Sequence, residues 1–149
     1  MNMLSVSDLF DSLVLYRDIV IVGYPCSGKS YLSGVLESVL SFDSVYHCDD
    51  YLKYGGRSGV YRLLDDVCAD SGIKLIEGVY GYRLLRAGLR DSRYVADCVI
   101  VCECRRSLLE YRYGVSRKYP FGFCKMLDLV WFDYEKLGGC SDVFGFDSG

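Results

Sequence analysis

Residues 23–30 read GYPCSGKS, with glycines at 23 and 28 followed directly by Lys29 and Ser30. Glycine accepts the turns that aim successive backbone N–H groups at one point, and the lysine adds a cation beside them. The full pattern G-x-x-x-x-G-K-[ST] is a cradle for phosphate oxygens. On this reading Gly23, Tyr24, Pro25, Cys26, Ser27, Gly28, Lys29, Ser30 and Tyr31 hold the phosphates of ATP. Lys29 reaches the β- and γ-phosphates, and the Ser30 hydroxyl ligates Mg²⁺. A second concentration of chemistry is VYHCDDY, residues 45–51, which contains the only histidine and two adjacent aspartates. Neighbouring carboxylates repel, so they need cations opposite them. Asp49 suits a base for an acceptor hydroxyl, and Asp50 its electrostatic partner or a contact to magnesium-bound water. Glu77, ending KLIE, suits the metal. Arg112 and Arg117 are cations that a lid could bring over a transferring phosphoryl group. Tyr51, Lys53 and Arg57 could stack a base and contact phosphates of an acceptor. His47 is read as structural.

These residues need a scaffold, and the hydrophobic pattern supplies one. DIVIVG (18–23) is a continuous apolar run, as in a strand buried on both faces. KSYLSGVLESVL follows with Leu32, Val35, Leu36, Val39 and Leu40 on one helical face. Strand and helix then alternate: a strand at 45–48, a glycine-rich loop, a helix at 60–69, the strand IKLIEG, a helix at 82–89 and the strand DCVIVCEC. RRSLLEYRYGVSRKYP begins as a helix, and after Pro120 KMLDLVWFDYEKL forms another. An amphipathic helix is expected at 6–16. The tail from 138 is expected to be loose or to dock its aromatics on the body. Interleaved strands and helices indicate an open parallel sheet with helices on both faces, whose ligands bind outside the carboxyl ends of the strands. Asp49, Asp50 and Glu77 follow their strands and stand at that end; Asp18 and Asp97 precede theirs and do not.

At 149 residues, 51% of them hydrophobic and 25% charged, the chain suits one globular domain. A net charge of −3 argues against nonspecific coating of nucleic acid, while leaving room for a local basic cleft. The eight cysteines contain no C-x-x-C pair and read as reduced thiols acting as small hydrophobes. With no membrane-length apolar run and no signal-like N-terminus, a cytoplasmic location is expected. There is no threonine or glutamine, and Asn2 is the only asparagine. That excludes a GTPase, which reads guanine with Asn-Lys-x-Asp. It also suggests a gene of skewed strand composition, as in a phage. A small kinase remains, with two other readings open: a kinase of a free nucleoside or metabolite, and a nucleotide-binding module that transfers nothing.

GYPCSGKS, then CDDY, an acid-ended strand and the Arg112/Arg117 pair together resemble the P-loop kinases of the polynucleotide 5′-kinase type. Uridine-kinase-like and zeta-toxin-like enzymes are similar in outline, especially at LIEGVY. The resemblance runs from about residue 18 to 137. It implies an α/β, three-layer P-loop NTPase fold with an open parallel sheet of four to five strands. It also implies a single domain over 1–149, a helical lid at about 105–120 and a tail at about 138–149. It implies an ATP- and Mg²⁺-dependent kinase whose partner is a hydroxyl acceptor, nucleic acid or nucleotide, with Asp49 activating the hydroxyl and Arg117 or Arg112 assisting at the phosphates. Small phage kinases of the hydroxymethyl group of a modified pyrimidine in DNA are of similar build. One departure stands out. Polynucleotide kinases place an acceptor-phosphate arginine after the tyrosine of this motif, where this chain has Leu52 and then Lys53.

Overall fold

A computed structural model describes residues 1–114, 118–139 and 141–149. The strands are β1 (Asn2–Leu4), β2 (Asp18–Gly23), β3 (Ser44–His47), β4 (Lys74–Glu77), β5 (Cys98–Glu103) and β6 (Asp142–Asp147). Between them run α1 (Leu9–Leu13), α2 (Lys29–Val39), α3 (Gly56–Ala69), α4 (Gly81–Arg90), α5 (Arg106–Tyr113) and α6 (Phe121–Lys136). The six strands form one sheet in the order β1-β6-β5-β2-β4-β3, and every pairing is parallel.

Side chains on a strand alternate between its faces, so β2 serves two cores at once. Val20 and Val22 pack with Leu63 and Leu64 of α3 and Leu84 of α4. Ile19 and Ile21 face the other way, onto Leu32 and Leu36 of α2 and onto Leu9 and Leu13 of α1. The result is a three-layer α/β fold, as expected. Leu32 and Leu36 are one helical turn apart and fully buried, so truncating either to alanine would cost about 2–5 kcal/mol.

Three expectations are corrected at the chain's ends. The sheet has six strands, not four to five, because both termini enter it. The tail is neither loose nor merely docked: Asp142–Asp147 is an inner strand between β1 and β5, with Phe146 opposite Cys102 on one side and Leu4 on the other. Its aromatics alternate, and Phe144 and Phe146 both point into the α1/α2 core. The expected helix at 6–16 is shorter: a 3-10 turn at Val6–Asp8 leads into α1, which ends at Leu13. The chain before it becomes β1, which satisfies the free edge of β6. The glycine-rich stretch is also more regular than a loop, with a 3-10 segment over Cys48–Tyr54 and α3 already begun at Gly56.

The acids sort as the topology requires. Lys74 donates to Asp18 at 3.0 Å, and Asp97 accepts from the backbone N–H groups of Arg17 and Asp18, all at the amino ends of the strands. No helix among the described residues is long and apolar enough to cross a membrane.

Candidate active site

The cradle runs from the end of β2 to the first residue of α2. At its entry, a Cβ on Gly23 would stand 2.3 Å from Ser27 Oγ, so the loop folds back on itself only with glycine there. At its exit Gly28 has φ +98°, a left-handed turn that starts α2. The intervening carbonyls are all tied to side chains. Lys29 Nζ donates to the Tyr24 carbonyl at 2.6 Å, Tyr119 to that of Pro25 at 2.8 Å, Arg112 to that of Cys26 at 3.2 Å, and Ser148 to that of Ser27 at 2.6 Å. Helix α2 points its N-terminus at the loop, a favourable place for an anion.

This loop borders a cleft of about 970 Å³ at the carboxyl ends of β2, β3, β4 and β6. Pro25, Cys26, Gly28, Lys29, Ser30 and Tyr31 line it from the loop side. Asp49, Glu77 and Arg112 line it from three other segments, so residues far apart in sequence share one space. Tyr24 turns elsewhere, donating its hydroxyl to Asp128, and Ser27 is buried with an unpartnered hydroxyl.

Asp49 is held by what precedes it. Strand β3 ends at His47, and Cys48 plugs into the core at 1% exposure, leaving Asp49 on the rim. Gly78 makes this fit possible: it has φ +137°, and a Cβ there would lie 2.5 Å from Cys48 Cβ. The two strand ends therefore interlock. Glu77 is buried, and its Oε1 lies 2.8 Å from His47 Nδ1, its neighbour in the β3–β4 register. That hydrogen bond raises the His47 pKa. Lys29 is 8% exposed, and burial lowers its pKa, while Glu77 and Asp49 are among the groups that raise it. The ammonium is thus drawn from water but kept among acids.

Arg112 comes from α5. Its guanidinium also donates to Ser148 Oγ at 3.0 Å and to the Ser148 carbonyl at 2.9 Å, which fixes it at the edge of the cradle. Arg117 lies outside the described residues. Asp50 is exposed and does not line the cleft. Tyr51 donates its hydroxyl to Asp66, and Lys53 sits over the Tyr54 ring at 5.2 Å. Arg57 lies over the Tyr61 ring at 5.6 Å and borders a separate hollow. The cleft does not gather these three.

Sequence reasoning did not place three residues at or beside the cleft. His47, read as structural, lies against Glu77, a contact that only the adjacency of β3 and β4 reveals. Asp147 and Ser148 line the cleft from the end of β6. Had the alternating tail been read as a strand, the rule that found Asp49 and Glu77 would have found Asp147.

The oxygen donors suit magnesium. Among the described residues no three His, Cys, Asp or Glu side chains gather as a metal site. Mg²⁺ needs no such cage, since it keeps several waters and takes one or two protein oxygens plus phosphate. Ser30 and the His47-bound Glu77 could supply them.

No family model and no curated protein sequence matches this chain. Solved structures do. Shikimate kinase from Acinetobacter baumannii in complex with shikimate aligns with a TM-score of 0.56 and 12% identity, covering 90% of this chain and 85% of that one. The YorR protein from Bacillus subtilis in complex with phosphorylated GDP aligns with a TM-score of 0.54 and 16% identity, covering 87% and 84%. The likeness is one of fold. It confirms the three-layer α/β architecture expected from sequence.

Proposed function

We propose that this chain is an ATP- and Mg²⁺-dependent phosphotransferase that moves the γ-phosphate to a hydroxyl of a nucleic acid or nucleotide. The observation that carries the reading is the convergence of Lys29, Ser30, Asp49, Glu77 and Arg112 on one cleft beside a phosphate cradle. Asp49 accepts the proton of the acceptor hydroxyl as its oxygen bonds to the γ-phosphorus and the bond to the β-γ bridging oxygen breaks. Lys29 and Arg112 balance the charge on the phosphoryl oxygens, and we propose that Arg117 joins them. Ser30 and Glu77 would hold magnesium, and the ion would neutralise the β- and γ-phosphates. His47 keeps the Glu77 carboxylate turned to its task.

A second reading is a kinase of a small hydroxyl metabolite. It draws on the shikimate bound to one structure of the same fold, and on a cleft volume within the range of small-ligand sites. An acceptor screen with γ-labelled ATP separates the two. It offers 5′-hydroxyl DNA and RNA, hydroxymethylpyrimidine DNA, nucleotides, nucleosides and polyhydroxy acids. Label on a nucleic acid or nucleotide supports the proposal, and label only on a nucleoside or metabolite transfers it to the second reading. ATP binding with no acceptor labelled overturns both.

A further inference from the structure

Helices α3 and α4 enclose a hollow of about 330 Å³ lined by Arg57, Tyr61, Arg83, Arg86 and Arg90. Arg83, Arg86 and Arg90 follow one another at i, i+3 and i+7, so they form a stripe along one face of α4, roughly 10 Å long at a rise of 1.5 Å per residue. Arg57 faces that stripe from α3. Four guanidinium groups gathered on a chain of net charge −3 run against its average composition.

Carboxylates do not account for the cluster. Asp133 of α6 pairs with Arg90 at 2.6 Å and with Arg86 at 3.7 Å. Among the described residues no acid pairs with Arg57 or Arg83, and Arg83 donates instead to the Met126 sulfur at 3.3 Å. One carboxylate therefore pairs with two of the four cations. Burial and the neighbouring Arg90 lower the Arg86 pKa against the pull of Asp133. Tyr61 lines the hollow beneath the Arg57 guanidinium, and Arg62 of the same helix lies 4.5 Å from the Tyr54 ring centre.

The helices that carry the arginines start at the same end of the sheet as the cleft. Helix α3 follows the segment that holds Asp49, and α4 follows Glu77 and Gly78, so both begin at the carboxyl end of the sheet. Their first turns touch there, since a Cβ on Gly56 would meet Arg83 Nη1 at 3.3 Å. A chain whose end lay in the cleft would cross that end of the sheet to reach the arginines. Row-wise guanidinium groups bind successive phosphates, and guanidinium planes stack bases of an unpaired strand.

We propose that the α3–α4 groove binds the phosphodiester backbone of a single-stranded nucleic acid. This rests on, and sharpens, the reading of the cleft as a kinase site: the acceptor is a polynucleotide, and its phosphates are read by Arg57, Arg83, Arg86 and Arg90.

Fluorescence anisotropy with a labelled single strand of about 12 nucleotides tests it, titrated between roughly 50 and 300 mM salt. Each phosphate contact to a single strand contributes about 0.7 to the slope of log affinity against log salt. Arg86→Ala with Arg90→Ala should lower the slope by about 1.4, which is about 25-fold weaker binding at 0.1 M relative to the common limit at 1 M. Arg86→Lys with Arg90→Lys keeps the charges and should keep the slope; it also keeps the test alive should the alanine pair unfold. Arg17→Ala, at the opposite end of the sheet, should bind like the parent. The proposal is overturned if the folded alanine pair matches the parent in slope, if the lysine pair loses the slope, or if Arg17→Ala weakens binding equally. The two proposals fail differently. Phosphotransfer to nucleotides without groove-dependent strand binding removes the groove alone. Groove-dependent binding with no phosphotransfer to any acceptor removes the kinase reading alone.

Discussion

Replacing Gly78 by alanine tests how the two strand ends carrying Glu77 and Asp49 are locked together. The added methyl would meet Cys48 Cβ at 2.5 Å and Sγ at 3.0 Å, and Cys48 is buried at 1% exposure with nowhere to retreat. Overpacking of this kind costs about 1–3 kcal/mol. The backbone adds its own penalty, since φ +137° is glycine territory and an alanine held there costs about 1–3 kcal/mol more. The sum is about 2–6 kcal/mol, a large part of the stability of a small domain. Gly55 provides the comparison: it has φ +80° but nothing within 4 Å of its Cβ position, so Gly55→Ala should carry the backbone penalty alone. Urea unfolding followed by circular dichroism measures both. Gly78→Ala should be the more destabilising by about 1–3 kcal/mol. Where it remains folded, turnover should fall more than ATP affinity, because the displaced neighbour carries Asp49 and not the cradle. If Gly78→Ala proves no more costly than Gly55→Ala, the interlock is wrong.

Cys26 is exposed and lines the cleft. Alkylation should slow turnover and ATP should protect against it, as followed by residual activity; inactivation unaffected by ATP would place the nucleotide elsewhere. Asp70 accepts from Tyr46 at 2.6 Å and from the Gly72 N–H at 2.8 Å, and these bonds, that of Tyr46 first, hold its pKa down to about 2 from 3.8. A depressed carboxyl stabilises the fold above its unfolded pKa and loses that contribution as pH falls through the folded one. The Tm gap between the parent and Asp70→Asn should therefore be full above about pH 4 and close toward pH 2; a gap independent of pH would refute the coupling.

The cradle and its flanking strand and helix were legible because they are local: an apolar run, two glycines and an amphipathic helix fall in consecutive residues. Asp49 and Glu77 were legible through a rule of topology, since acids after parallel strands share one end of the sheet. What escaped depends on strand order or helix packing. Strand β6 contains a glycine, Gly145, and lies beyond a Gly-Gly turn, so it reads as a tail until β5 and β1 flank it. His47 gains its role only from standing beside Glu77 in the register. Arg83, Arg86 and Arg90 look like the wet face of any surface helix until α3 brings Arg57 opposite them.

The central claim is that Asp49 acts as the base in a phosphoryl transfer supported by the Lys29 cradle. Single-turnover kinetics of Asp49→Asn, alongside direct measurement of ATP binding, test it most directly. Loss of a positioned general base should slow transfer by about 10²–10⁴-fold and leave ATP affinity nearly unchanged. Transfer at the parental rate, or a loss that follows weakened ATP binding, would contradict it.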